Sequence, residues 1–429
     1  MTPCVGTRRL LAALEMPSGQ LLGNRVVKAA TAEGLSNREG NPSPETIALY
    51  AAWAGSGVGT VITGNLHVDR RFRDRTTSMV LDDESDMAGF RRLSHAIRGL
   101  GASAWAQLNH AGRQCPSVIA RQPVSASATR PPFRCSAYGY PRALTGAEIE
   151  QIIGKFAQSA RLAVECGFDG VQLHAAHGYL LSSFLSPDLN RRTDEFGGTL
   201  AGRSRLLIRT IAAVRAALGG AACLTVKLNC SDFSPHGLRE PEARIVAEWC
   251  AEAGVDGIEV SGGTYRRMVM AGESAPASVS GQLDHSGTMF SAFACDLAKR
   301  IDVPIMLTGG IRTLEQMDQL RAAGIALIGI ARPLCVSTTC VSDLLEGRID
   351  DLRSVPVPPA TPYPLLGAAS PWRRVRRFDA FAAQAWYSEQ LVNMAHGRAV
   401  DSGLRPARAL QNMMARDHAA WLHPMSATG

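Results

Sequence analysis

Four segments of the chain repeat one pattern of apolar residues and glycines. They are SGVGTVITG (56–64), CGFDGVQLH (166–174), AGVDGIEVS (253–261) and AGIALIGIA (323–331). Each follows a stretch with helical apolar spacing, and each begins near a glycine, which suits the positive φ at a helix C-terminus. A short apolar run comes next, with little polar alternation, as is typical of a parallel strand buried on both faces. The repeat therefore predicts units of helix, turn and strand.

Four further apolar runs predict the strands that lie between these units. They are Arg25–Ala30, Ser103–Leu108, Cys223–Leu228 and Pro304–Thr308. Eight strands that alternate with helical stretches predict a closed (β/α)8 TIM barrel, of class α/β, rather than an open doubly wound sheet. No GxGxxG motif follows the first strand, which also argues against a Rossmann fold.

The last part of the chain has a different pattern. A proline-rich stretch, VPVPPATPYP, is followed by two helical stretches, FAAQAWYSEQLVNMA and ALQNMMARDHAAWL. We therefore predict a barrel over residues 1–350 and a linker with a C-terminal helical extension over residues 351–429. The extension either caps the barrel or contacts a second subunit in a homo-oligomer.

Composition narrows the class of protein. Hydrophobic residues make up 46% of the chain and charged residues 19%, which is typical of a globular protein with a sizeable core. The net charge of +7 can attract phosphorylated cofactors, but no nucleic-acid-binding motif accompanies it. Ten cysteines without a CxxC pair favour reduced thiols over a metal or disulfide framework. No apolar run approaches 18 residues, so we expect a soluble, cytoplasmic protein that does not enter a membrane.

In a TIM barrel the chemistry lies at the carboxyl ends of the strands. After the seventh and eighth strands this sequence has Gly309, Gly310, Gly329 and Arg332. Bare backbone amides and a guanidinium group at this place predict a phosphate site. The alternative is that the glycines only form tight turns.

The fourth strand ends in His174, His177 and Tyr179. Because this HxxH pair lacks the glutamate and the helix of a zinc signature, we predict no metal here. Two neutral imidazoles could instead donate hydrogen bonds to a substrate oxygen, and the phenol could act as a general acid. Packing in the core is the alternative. Lys227, on a buried strand, is expected to face an electron-rich ligand, since an unpartnered buried lysine is costly.

These residues together resemble the old yellow enzyme family, the NADH:flavin oxidoreductases. The matching stretches run from about residue 10 to 345, and the most specific is HAAHGYLLSSFLSP with NRRTDEFGG; the others are NRVVKAA, WAQLNHAGRQ, VKLNCSDF, GIEVSGG, TGGIRT and GIARPL. The resemblance implies a non-covalent FMN at the mouth of the barrel. Its implied contacts with the flavin ring are Ala30, Thr31, Ala32, Gly64, Gln107 and Lys227, and its implied phosphate contacts are Gly309, Gly310, Gly329, Ala331 and Arg332.

The resemblance also implies a ping-pong reaction. NAD(P)H would reduce FMN, and an activated alkene would then take hydride from the flavin. His174 and His177 would hold the substrate's oxygen and Tyr179 would protonate Cα. Three residues depart from the family pattern: Ala32 replaces a Thr or Cys, Lys227 replaces an Arg, and Ala30 replaces a Pro.

Other uses of the same barrel stay open. The flavin could serve amine or alcohol oxidation, demethylation or desaturation, or the barrel could bind flavin with little turnover. Two long loops, residues 114–144 and 262–289, are expected to shape the entry of a small-molecule substrate. Neither a cysteine cluster nor a GxGxxG motif follows the barrel, so electrons are expected to come directly from NAD(P)H.

Overall fold

A computed structural model describes residues 9–129, 137–220, 222–264, 288–352 and 372–422, with 357, 358, 360 and 370. Eight parallel strands close into a barrel in chain order. They are β1 (Val26–Lys28), β2 (Thr60–His67), β3 (Ser103–Asn109), β4 (Gly170–Ala175), β5 (Cys223–Asn229), β6 (Gly257–Ser261), β7 (Ile305–Thr308) and β8 (Leu327–Ile330). The predicted TIM barrel and all eight predicted strands are confirmed. The first strand is shorter than Arg25–Ala30.

The helices surround this barrel. They are α1 (Pro44–Ala54), α2 (Met87–Arg98), α3 (Gly146–Glu165), α4 (Leu180–Leu185), α5 (Leu200–Leu218), α6 (Glu240–Glu252), α7 (Ser291–Leu297), α8 (Leu314–Ala322), α9 (Cys340–Leu345), α10 (Arg373–Ala395) and α11 (Pro406–Leu422). Polar side chains cap several of them. Thr145 and Glu148 form a capping box that starts α3, and Asp86 accepts from the backbone at the start of α2.

Because successive side chains point to opposite faces of each strand, the core has two layers. One set of side chains fills the barrel interior: Val27, Ile62, Trp105, Cys223, Met306 and Leu327. The opposite set packs against the helices in one continuous cluster. A two-stranded hairpin, Leu14–Glu15 with Leu21–Leu22, supplies Met16 and Leu22 to the interior layer at the end away from the loops that follow the strands.

The C-terminal helices pack on the side of the barrel. α10 and α11 pack against each other around Trp386, and α10 contacts α1 and the 3₁₀ turn Arg332–Cys335. Both helices were predicted from the sequence, although each begins earlier than its predicted stretch. Most of the predicted proline-rich linker, most of the predicted entry loop 262–289 and residues 130–136 of the predicted entry loop 114–144 lie outside the described residues.

Candidate active site

The predicted site residues lie at or just beyond the carboxyl ends of the barrel strands. The parallel register sets His174 level with Lys227 and Ile330 level with Lys28. Exposure divides the predicted set in two. The partly or fully exposed members are Ala30, Thr31, Ala32, His177, Gly309, Gly310, Ala331 and Arg332, and the buried members are Gly64, Gln107, His174, Tyr179, Lys227 and Gly329.

The ends of β7 and β8 form the predicted phosphate side. Gly309 and Gly310 have φ values of 137° and 76°, which glycine adopts without strain. A Cβ on Gly329 would lie 1.9 Å from Oγ1 of Thr308, so no other residue fits beside that strand. The backbone can therefore approach a ligand closely at this end of the barrel.

A second guanidinium group, which the sequence did not single out, accompanies Arg332. It belongs to Arg312, in the loop after β7. Burial and then the positive charge of Arg332 lower the pKa of Arg312. Two like charges near each other at a half-buried site favour an anion between them. This observation supports phosphate binding over the alternative that the glycines only form turns.

Several buried polar atoms on or just after β1, β3, β4 and β7 bear on what the site can hold. Gln107 donates from Nε2 to Oε1 of Gln172 over 2.7 Å. Within the part of the chain that the structure describes, Oγ1 of Thr31, Nε2 of Gln172 and Oγ1 of Thr308 are buried without a hydrogen-bond partner. Buried polar atoms in native proteins are nearly always satisfied. These orphaned atoms suit the polar edge of a bound heterocycle.

Lys227 has a partner, which corrects the premise behind its prediction. Its Nζ lies 3.1 Å from Oε1 of Glu259 on the neighbouring strand β6, and both side chains are buried. The contact is close enough for an ion pair, although its angles are not those of a hydrogen bond. The lysine therefore does not need a ligand to balance its charge, and any ligand beside it meets a lysine and a carboxylate together.

The two histidines of the HxxH pair are neutral. Burial, then the closeness of His177 and the positive charge of Lys227, hold the pKa of His174 well below its usual value. Burial and then Lys227 lower the pKa of His177 to about 3. The Nδ1 atom of His174 accepts a hydrogen bond from the backbone N–H of Ala176, so its proton lies on Nε2. His174 can thus donate a hydrogen bond, as predicted.

A left-handed backbone conformation at His177, with φ of 62°, turns the chain after β4. Oδ1 of Asn229 accepts from the backbone N–H of His177, and Nε2 of His177 lies 2.8 Å from Oγ of Ser261. The His174 and His177 rings lie 5.0 Å apart, and the Tyr179 ring lies 4.8 Å from that of His174. The structure therefore brings the three residues predicted from the fourth strand into one cluster.

Tyr179 has an unexpected partner. Its hydroxyl donates to Oδ2 of Asp74 over 2.8 Å, and Nδ2 of Asn65 lies 3.2 Å from the same hydroxyl. Asp74 also accepts from Nδ2 of Asn65 over 2.8 Å and from Oγ of Ser78 over 2.5 Å, and it lies 2.8 Å from Nε2 of His67. The predicted proton donor is therefore held by a buried carboxylate.

The Asp74 carboxyl group is ionised. Burial alone would raise its pKa, but attraction to His67 and the hydrogen bonds from His67, Ser78 and Tyr179 together lower the pKa well below its usual range. A carboxylate that accepts this many hydrogen bonds is stable when buried. It fixes the direction of the Tyr179 hydroxyl.

Two buried ionisable side chains, Lys28 and Glu33, contact the backbone of β2. Lys28 is fully buried, donates to the backbone O of Ile62 over 3.1 Å, and lies 4.1 Å from the centre of a Trp53 ring. Burial lowers the pKa of Lys28 to about 8, although Glu33 opposes that change. Oε1 of Glu33 accepts from the backbone N–H of Gly64 over 3.0 Å. Glu33 thus holds the backbone of Gly64, one of the predicted flavin contacts, in place.

Sequence reasoning missed Asp74, Glu259, Arg312 and Ser261 as site residues. Glu259 had a signal, because a glutamate inside the apolar run GIEVS needs a buried partner and Lys227 offered one. Arg312 lies in the quoted stretch TGGIRT and could have been added to the phosphate site. Asp74 lies in the arginine-rich loop RRFRDRTT, where nothing in the sequence distinguishes it.

Two features are absent from the described residues. No helix in that part of the chain is long and apolar enough to cross a membrane. The same residues contain no group of three histidine, cysteine or acidic side chains placed to hold a metal ion.

The fold and the site residues define a (β/α)8 barrel in which glycine backbone and two arginines follow β7 and β8, with unsatisfied buried polar atoms on the neighbouring strands. The family model for the NADH:flavin oxidoreductase / NADH oxidase family matches residues 14–351. The chain belongs to this family, that of old yellow enzyme.

Two curated relatives illustrate the family. The NADH-dependent flavin oxidoreductase iliE of Hypocrea jecorina is 37% identical over 74% of this chain and 84% of its own length. The NADH oxidase of Thermoanaerobacter brockii is 34% identical over 78% of this chain, which spans 50% of that enzyme. A solved structure, the old yellow enzyme homologue from Zymomonas mobilis, is 22% identical over 80% of this chain and 93% of its own, with a TM-score of 0.67. That likeness shows the shared fold.

The residues present fit the cofactor of this family. Its members bind FMN and take electrons from NAD(P)H. The two arginines and the glycines of the phosphate side suit the phosphate group, and the orphaned atoms of Thr31 and Gln172 suit the polar edge of the ring.

Proposed function

We propose that this flavin-dependent NAD(P)H oxidoreductase reduces activated carbon–carbon double bonds, such as those of α,β-unsaturated carbonyl compounds. The cluster of His174, His177 and Tyr179 carries the proposal. It combines two neutral imidazoles with one phenol within about 5 Å ring to ring. Imidazole donors polarise a carbonyl oxygen, and a phenol can protonate the neighbouring carbon.

The cofactor contacts belong to the proposal. Ala30, Thr31, Ala32, Gly64, Gln107 and Lys227 would contact the ring of FMN, and Gly309, Gly310, Gly329, Ala331, Arg332 and Arg312 would hold its phosphate. When bound, FMN accepts electrons from NAD(P)H and delivers hydride to the substrate. We assign residues 1–350 to this barrel and 351–429 to the linker and extension. A cytoplasmic location fits the proposed electron donor, which is available there.

The protein's own groups then have separate tasks. His174 donates from Nε2 to the substrate's oxygen, where negative charge develops as hydride arrives. His177 is held in place by Asn229 and Ser261. Tyr179 protonates Cα, and its hydroxyl must turn from Asp74 to the substrate to do so. Because Tyr179 and His174 are buried and the Asp74 side chain is only 9% exposed, bulk water competes little for their contacts.

A second candidate is oxidation of an alcohol or an amine by the same flavin. The Asp74 carboxylate favours it, because it offers an acceptor for a proton that leaves the substrate through Tyr179. Enones and candidate alcohols or amines, assayed side by side, distinguish the two directions.

The first test is a visible spectrum without oxygen, followed by NADH or NADPH and then by cyclohexenone. Flavin bands that bleach with the nicotinamide and return with the enone would support alkene reduction. Bands that return only with oxygen would contradict it and direct the search to other substrates.

The variant Tyr179→Phe distinguishes reduction of the flavin by NAD(P)H from its reoxidation by the enone. Since a positioned general acid contributes about 10²- to 10⁴-fold, we expect reoxidation by cyclohexenone to slow by that order, with flavin reduction by NAD(P)H nearly unchanged. Stopped-flow absorbance measures both half-reactions. Equal loss in both would contradict the role of Tyr179 as proton donor.

A further inference from the structure

The C-terminal helix α11 is bound to a loop that leads into the candidate active site. Residues 74–78 follow β2, and three of their side chains donate to Asp417 of α11. Arg75 Nε donates to Oδ2 over 3.1 Å, and Thr76 and Thr77 donate from Oγ1 to Oδ1 over 3.1 Å and 2.8 Å. Thr76 Oγ1 also lies 2.8 Å from the backbone O of Asp417. One carboxylate thus accepts from three consecutive residues.

Helix α10 adds a second attachment. Nη1 of Arg75 donates to Oγ of Ser388 over 3.0 Å. The guanidinium passes Gly34 so closely that a Cβ there would lie 2.4 Å from Nη1. Arg75 has a side-chain exposure of 13%, and Thr76 and Thr77 are buried. These donors have little access to water, so the position of the loop depends on its acceptors in the extension.

The same loop carries the carboxylate that holds Tyr179. Asp74 directly precedes Arg75, and Ser78, which donates to Asp74, directly follows Thr77. The three residues bound to Asp417 are therefore flanked in the sequence by Asp74 and by Ser78, which donates a hydrogen bond to the Asp74 carboxylate. A displacement of this loop would move the acceptor of the Tyr179 hydroxyl.

We propose that Asp417 is a positioning residue for Tyr179, acting through loop 74–78 and Asp74. The C-terminal extension then has a task in the reaction: it fixes the direction of the proton donor. Asp417 lies beyond residues 14–351, the range that the family model matches. The proposal rests on the proposed function of Tyr179.

Stopped-flow measurements on holoenzyme variants test this proposal. Because a misplacement of about 1 Å can cost on the order of 100-fold, we expect Asp417→Ala to slow reoxidation by cyclohexenone by about 10- to 100-fold. Flavin reduction by NADH should stay within about twofold of wild type, since a positioning effect on a proton donor acts on that step alone. The matched control is Arg408→Ala on the same helix, which removes an exposed side chain whose hydrogen bond to Gln411 lies within α11 and leaves the loop contacts in place. It should behave as wild type.

A double variant distinguishes positioning from general damage. In Tyr179→Phe, the addition of Asp417→Ala should have no further effect on reoxidation, because the group that it positions is absent. A further loss in that background, or equal loss in both half-reactions, would show a merely structural role and overturn the proposal. If Asp417→Ala does not fold, Asp417→Asn and Thr77→Val weaken the same contact more mildly.

Fluorine NMR gives a readout that needs no substrate. The chain has seven tyrosines, so in protein labelled with 3-fluorotyrosine the resonance missing from Tyr179→Phe identifies residue 179. It should shift or broaden in Asp417→Ala and stay unchanged in Arg408→Ala. An unchanged resonance in Asp417→Ala would overturn the proposal. A changed resonance in a protein that fails to reduce cyclohexenone would contradict the proposed function and leave the positioning intact.

Discussion

The two sides of the barrel mouth are built differently. At the ends of β7 and β8, glycine backbone and two arginines, Arg312 and Arg332, form the partly open side that we propose binds phosphate. At the ends of β2 to β6, the site consists of buried polar side chains that hold one another. The Tyr179 hydroxyl, the Asp74 carboxylate and the His67 ring form one such chain.

The two sides of the barrel mouth should respond differently to the removal of a side chain. A backbone site loses one contact when one side chain is removed, because the amides stay where the strands place them. A buried polar network leaves donors or acceptors without partners when one member is removed, which costs about 1–3 kcal/mol for each group. We therefore expect local effects on the phosphate side and propagated effects on the side of Tyr179.

Of the three variants that follow, the one with the largest expected effect tests the phosphate side. Arg332→Ala should weaken FMN binding by about 10- to 100-fold, since a hydrogen bond to a charged group contributes about 1.5–3 kcal/mol and 1.4 kcal/mol is tenfold. A fluorescence titration of apoprotein with FMN measures it. Arg300→Ala, at a half-exposed surface pair with Asp296, is the control.

With saturating FMN, Arg332→Ala should reoxidise with cyclohexenone at the wild-type rate. That result would confirm that the two sides act independently. An unchanged FMN affinity would contradict the phosphate assignment, and a slowed reoxidation would show that the sides are coupled.

The phosphate side could be predicted from the sequence more completely than the buried side of the barrel mouth. The barrel and the phosphate side follow from local signals, because the apolar repeats mark the strands and Gly309 and Gly310 mark the turn. The histidines and Tyr179 follow from one continuous motif. These features need no knowledge of which distant segments meet.

The partners of the buried side chains could not be predicted in this way. Tyr179 and Asp74 are 105 residues apart, and Asp417 is about 340 residues from the loop that it holds. No periodicity connects such pairs, since the closure of the barrel and the docking of α11 bring them together. Lys227 was expected to need a ligand for the same reason: its partner Glu259 lies on another strand.

A smaller effect tests the ion pair inside the barrel. Glu259→Gln removes a negative charge beside Lys227 and should make the flavin's reduction potential more positive by about 20–40 mV. The figure corresponds to about 1–2 kcal/mol for a two-electron couple. The physical reason is that the reduced ring gains negative charge, which the Glu259 carboxylate opposes.

A reductive titration against a reference dye measures that potential. Glu315→Gln, a charge removal on the outer helix α8, is the control and should leave the potential unchanged. A shift in the negative direction, or none, would show that the Lys227–Glu259 pair does not lie near the ring.

The smallest expected effect concerns pH. Burial lowers the pKa of His177 and of His110 to about 3 and that of His174 well below its usual value. The unfolded chain binds protons to these histidines near pH 6.5, while the folded chain does not. Their contribution to stability is therefore present above pH 6.5 and is lost as the pH falls toward 3.

For one such histidine the loss between pH 6.5 and 5.5 is about 1 kcal/mol. His177→Gln should remove this pH-dependent contribution to the free energy of unfolding. With FMN saturating, the midpoint of its unfolding in urea should therefore depend less on pH than that of wild type. The control is His236→Gln at an exposed position. An equal pH dependence in His177→Gln and wild type would mean that His177 is charged in the folded protein. It would then bind an oxyanion as an imidazolium rather than as a neutral donor, and the buried side of the mouth would carry a positive charge of its own.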